Sequence, residues 1–77
     1  MSFVITSYKN GEDRPDEETD VSHLGADFIA TVLGMKPEQL TDVYLLTQRH
    51  ADLIGPPAGM SFDLATHDYH LEALADD

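Results

Sequence analysis

Apolar positions fall in short blocks along the chain, and the spacing within each block changes from one to the next. From Phe3 to Tyr8 the residues alternate, with Phe3, Ile5 and Ser7 on one side and Val4, Thr6 and Tyr8 on the other. That period of two, in β-branched and aromatic residues, predicts a strand over 3–8. The pattern then stops. Asn10-Gly11 supplies a turn, and the residues from Glu12 to Asp20 include Pro15 and almost nothing apolar. An Asn-Gly pair ordinarily closes a hairpin, but a second strand with nothing to bury cannot offset the entropy of ordering it, so 10–20 is expected to be an acidic loop.

A helical period follows. Val21, Leu24, Phe28, Val32 and Met35 recur at steps of three and four and predict the main helix over about 21–33. Thr19, Asp20 or Ser22 can cap its start. Gly34 can take the left-handed conformation at its end, with Met35 folded back on the last turn and Pro37 preventing continuation. Beyond it, Pro37 to Leu40 reads as a helical turn and the apolar run at 43–48 as a buried strand. A short helical turn at Ala51 to Ile54 should be halted by Gly55-Pro56-Pro57. Phe62, Leu64 and Thr66, then Tyr69, Leu71 and Ala73, each follow a period of two, which predicts a hairpin with strands at 60–66 and 69–74. A terminal helix over 69–75, started by Asp68, is the competing reading.

The expected fold is therefore α+β: a single small domain over 1–77, with a mixed or antiparallel sheet of three to four strands and one main helix on one face. Its expected core is Phe3, Ile5, Leu24, Phe28, Val32, Val43, Leu45, Phe62, Leu64 and Leu71.

Size and charge narrow the function. A chain of 77 residues buries only roughly 60% of the surface its unfolded form exposes, and the absence of cysteine removes any disulfide that would supplement such a core. With no cysteine framework, no signal-peptide pattern and no apolar run approaching a membrane span, the expected location is cytoplasmic. Fifteen acids against four Lys or Arg give a formal charge of −11. A charge of that sign repels phosphate, which disfavours direct binding to nucleic acid or to an anionic membrane and favours basic protein partners. Ten of the acids are Asp, a bias that adaptation to high salt also produces.

Candidate chemistry is sparse. His67 and His70 lie three apart, and with Asp63 or Asp68 nearby, completed by His50 and Asp52, they could supply the ligands of a histidine-dependent metal-binding module. The acidic run lacks the alternating ligands and central Gly of an EF-hand loop. Gly55-Pro56-Pro57-Ala58-Gly59 is not a phosphate cradle, because its prolines remove backbone donors and no Lys follows. No Gly-x-Ser-x-Gly elbow is present. The expectation is a protein that is not an enzyme and uses no cofactor.

The working surface is then expected to be the carboxylates themselves: Glu12, Asp13, Asp16, Glu17, Glu18 and Asp20 as the main contact set, with Asp27, Glu38 and Asp42 as secondary contributors. In size, acidity and lack of catalytic motifs the chain resembles the small phage-encoded anti-restriction and anti-CRISPR proteins. The likeness is one of composition, with no aligned motif. It implies a non-enzymatic inhibitor that imitates nucleic acid and fills a basic channel of a nuclease or nucleic-acid-binding complex. The alternative is a structural or assembly subunit, including a homodimer, joined through an apolar face supplied by Tyr8, Tyr44, Tyr69, Met35 and Met60.

Overall fold

The computed structural model describes residues 1–75. Four strands, β1 (Ser2–Lys9), β2 (Pro15–Asp20), β3 (Val43–Leu45) and β4 (His67–Leu74), form one antiparallel sheet in the order β2-β1-β4-β3. Two helices, α1 (Ala26–Leu33) and α2 (Gln48–Ala58), complete an α+β fold, with 3-10 turns at Ser22–Leu24 and Pro37–Gln39. The central ladder joins the two ends of the chain, running from Ser2 opposite Leu74 to Lys9 opposite His67.

Register decides which residues are buried. Cross-strand partners share a face, so Ile5 with Leu71 and Leu71 with Tyr44 define the side that meets the helices. Phe3, Ile5, Tyr69 and Leu71 from the sheet are buried with Ile29, Ala30 and Val32 of α1, Ile54 of α2, and Val21, Leu40 and Leu46 from the connections. Val4, Thr6, Tyr8, Asp68, His70, Glu72, Val43 and Leu45 occupy the opposite face.

The segment expected to be an acidic loop at 10–20 is largely a strand. β2 pairs with β1 from Val4 opposite Asp20 to Tyr8 opposite Pro15. It is held by backbone pairing at the edge of an already anchored sheet, so its side chains need bury nothing, and five of its six residues are exposed. Pro15 is tolerated as the first residue of an edge strand. The turn uses the Asn10-Gly11 pair after all: Gly11 has φ 82, the amide of Glu12 donates to the carbonyl of Lys9 at 3.0 Å, and Asn10 Nδ2 donates to the carbonyl of Ala65 at 2.9 Å.

The helix predicted over 21–33 is shorter. The amide of Val21 donates to the carbonyl of Phe3 at 2.8 Å, extending sheet pairing, and Gly25 (φ 83, ψ 151) separates the 3-10 turn from α1. Its buried stripe is Ile29, Ala30 and Val32, leaving Leu24 and Phe28 only partly buried. The end follows the prediction: Gly34 is left-handed, its amide donates to Thr31, and the amide of Met35 donates to Ala30.

Three further expectations change. Val43 and Leu45 are exposed rather than buried, because pairing Val43 with Glu72 and Leu45 with His70 turns them outward and places Tyr44 and Leu46 inward. The strand stops at Leu45 instead of 48. Residues 60–66 form no strand: β1 and β3 already occupy both edges of β4, and the backbone turns instead, with the amides of Thr66 and His67 donating to the carbonyl of Asp63. Phe62 and Leu64 pack against the core from this turn as partly buried groups. The strand expected at 69–74 is present as β4, which begins two residues earlier, and the competing helix at 69–75 does not form.

α2 is longer than the turn expected at Ala51 to Ile54 and passes through Pro56 and Pro57 to Ala58. The two prolines withhold the amides that would meet the carbonyls of Asp52 and Leu53, and all four residues are exposed, so solvent can satisfy those oxygens. At its start the amide of Thr47 donates to His50 Nδ1 at 3.1 Å, which requires that nitrogen to be unprotonated. Burial lowers the proton affinity of His50, and the charge of Arg49 lowers it further. The unfolded chain therefore takes up this proton first, near its ordinary value of 6.5, and stability held above that pH is lost as pH falls through the lower folded value. The urea midpoint should decline as pH falls below 6.5, by no more than the worth of one hydrogen bond, about 0.5–1.5 kcal/mol. His50→Gln keeps an acceptor without titrating, and a decline of the same size in that variant would assign it elsewhere.

Among the described residues, no helix is long and apolar enough to cross a membrane.

Candidate functional site

The β1–β2 hairpin gathers six of the nine predicted contact acids. Glu12 and Asp13 lie in its turn, and Asp16, Glu17, Glu18 and Asp20 lie along β2. The register shifts between Ser7 and Tyr8, which pair with Glu17 and Pro15, so Asp16 is the extra residue of a bulge. Its carboxylate reaches His67 Nε2 at 3.1 Å and Lys9 Nζ at 3.8 Å. On the other side of the ring, Thr66 Oγ1 lies 2.7 Å from His67 Nδ1. With the proton on Nε2, the imidazole donates to Asp16 and accepts from the Thr66 hydroxyl, tying the start of β2 to β4.

Asp20 is also engaged. Its Oδ1 accepts from the amide of Ser22 at 2.8 Å, and that bond, followed by one from the Ser22 side chain, holds its carboxyl below the ordinary 3.8. Glu12, Asp13, Glu17 and Glu18 are exposed. Glu18 and Asp20 project to the uncovered face of the sheet beside Thr6 and Val4, whereas Glu17 sits opposite Ser7 on the other side.

The three secondary acids lie apart from the hairpin. Asp27 is exposed on α1, Glu38 on the Pro37–Gln39 turn, and Asp42 just before β3, at the far edge of the sheet from β2. Asp42 Oδ1 accepts from the amide of Val43 at 2.8 Å. His67 and His70 belong to opposite faces of β4, which removes the shared site imagined for them. Among the described residues, no group of three or more His, Cys, Asp or Glu is placed to hold a metal ion.

Sequence reasoning missed a concavity on the uncovered face. A groove of about 490 Å3 is lined by Thr6, Tyr8, Glu12, Asp13, Val43, Asp68, His70 and Glu72. Tyr8 and His70 meet edge to face in its floor, with ring centroids 5.4 Å apart and planes at 88°. His70 Nδ1 is shielded from solvent and has no hydrogen-bond partner. The signal for these residues was the complement of the alternation already read in β1 and β4. Once Tyr69, Leu71 and Ala73 face the core, Asp68, His70 and Glu72 must face away.

A family model described as a domain of unknown function, DUF7683, matches residues 2–72, so the chain belongs to that family. The match takes in the hairpin, both helices, β3 and β4 as far as Glu72. No curated protein and no solved structure matches the chain.

Proposed function

We propose that this member of the DUF7683 family is a non-enzymatic acidic module that binds a basic, nucleic-acid-binding surface of a partner protein. The observation that carries the reading is the position of the hairpin acids. They sit on a paired edge strand and its turn, so their backbone spacing is fixed before any partner arrives, and only side-chain freedom is left to lose on binding. Alternate residues of a strand lie roughly 6.8 Å apart on one face, so Glu18 and Asp20 hold two carboxylates at a set backbone interval, as a nucleic-acid strand holds its neighbouring phosphates. Cationic side chains that grip such a backbone would find comparable charge here and release the same counterions.

The target class is a nuclease or other nucleic-acid-binding complex with a lysine- or arginine-rich channel, and the effect is inhibition by occupancy. Immobilised protein should retain a basic protein from lysate at about 50 mM salt and release it at about 500 mM, where the Debye length shrinks below about 5 Å. Added protein should then displace DNA or RNA from that captured partner. Retention indifferent to salt, or capture without competition for nucleic acid, contradicts the reading.

A further inference from the structure

We propose that the uncovered face of the sheet is the docking site for a basic amphipathic helix of a partner protein. The proposal rests on the reading of the protein as an acidic binding module, and it adds which surface engages and what the partner must carry.

The sheet is covered on one side only, and its open side departs from what a solvated face usually shows. Antiparallel sheets exposed on one side normally alternate apolar inward and polar outward. Here Val43, Leu45 and Leu74 project outward, with 49%, 60% and 40% of their surfaces exposed. They are three of only five large apolar side chains so exposed among the described residues, and they share one face with Val4 and Tyr8. The patch they make is interrupted, because Glu72 and His70 of β4 lie between Val43 and Leu45 on β3 and Val4 and Thr6 on β1.

The charge around the patch is of one sign. The groove is lined by the carboxylates of Glu12, Asp13, Asp68 and Glu72 and by neither Lys nor Arg. Asp68 and Glu72 stand on β4 between the apolar side chains of β1 and β3, and a face that interleaves carboxylates with apolar groups is complementary to a segment that carries cations beside an apolar stripe. The same carboxylates argue against a second copy of this chain, because a two-fold pairing of identical faces would bring two acidic surfaces together. They argue equally against an anionic membrane.

The floor carries a further mark. His70 is half-buried, and its Nδ1 is shielded from solvent without a hydrogen-bond partner beside Tyr8. Local departures of this kind are expected where a surface is kept for binding. A helix fits this face as the occupant. The existing helices already pack on one side, a third layer would stand about 10 Å away, and a helix of about 10–12 Å diameter spans the roughly 14 Å between the outer strands.

The test titrates isotope-labelled protein with two synthetic peptides of equal charge: a Leu/Lys peptide with helical apolar spacing, and an oligolysine. The Leu/Lys peptide should bind at least about tenfold more tightly and shift the amides of Val4, Thr6, Leu45, His70 and Glu72. Val43→Ser with Leu45→Ser should remove that margin while leaving oligolysine binding unchanged, since both side chains are largely exposed in the folded protein. Equal binding of the two peptides, with shifts confined to β2, overturns this proposal and leaves the acidic-module reading standing. Failure of both peptides to bind overturns both. Self-association through this face, abolished by the same two substitutions in sedimentation measurements, makes the occupant a second copy and likewise overturns it.

Discussion

A Leu71→Ala variant is expected to lose about 2–5 kcal/mol of stability, a large part of the roughly 4–12 kcal/mol that a domain of this length possesses, and to unfold well below the wild-type melting temperature. Leu71 is fully buried on β4, paired with Ile5 on one side and Tyr44 on the other. Its side chain thus joins three of the four strands beneath the helices, and truncation leaves a cavity at the point where the sheet's long-range pairings converge. No disulfide reinforces the ladder. Urea titration measures the loss. Leu74→Ala, on the exposed side of the same strand, is the comparison and should change the midpoint little. Similar losses in the two variants would mean that burial is not what this strand contributes.

Reversal of Glu12, Glu17 and Glu18 to Lys is expected to weaken binding to the basic partner on the order of 10²–10³-fold at low salt, and to reduce the slope of log affinity against log salt by about three. Each reversal removes one negative charge and adds one positive, so the formal charge moves from −11 to −5. These three acids are chosen because Asp16 and Asp20 hold internal hydrogen bonds whose loss would confuse binding with folding. Stability should be unchanged or slightly higher, since self-repulsion falls. Isothermal titration at several salt concentrations gives both quantities. An unaltered slope would show that the hairpin carboxylates do not meet the partner. Asp27→Lys, on the helical layer, is expected to have a much smaller effect, and an equal one would extend the contact surface to α1.

The elements legible in the sequence were those whose stability comes from their own apolar pattern. β1 announced itself through Phe3 and Ile5, β4 through Tyr69 and Leu71, and the end of α1 through Gly34 and Pro37. β2 was illegible for the same reason: it is held by backbone pairing to β1, and pattern reading detects burial rather than pairing. Val43 and Leu45 misled because the identity of the buried residues in a three-residue strand depends on register with β4, and a shift of one position exchanges the faces. α2 was foreshortened because Gly55-Pro56-Pro57 looks like a stop, although prolines on a solvent-facing last turn sacrifice little. For the candidate site, the hairpin acids were visible as a run, but their arrangement on a strand was not. The groove on the open face, built from β1, β3, β4 and the hairpin turn, required knowledge of strand order and could not be read from any one segment.

The free edge of β2 has a bearing on how the protein behaves in bulk. Unpaired backbone donors and acceptors along a border strand invite another molecule to continue the sheet, and closely set like charges keep that invitation from being accepted. Those charges are carboxylates alone, so the safeguard titrates away. Near the isoelectric point of about 4.3, concentrated solutions should turn cloudy and gain intermolecular β signal in the infrared, whereas the same solutions at neutral pH remain clear.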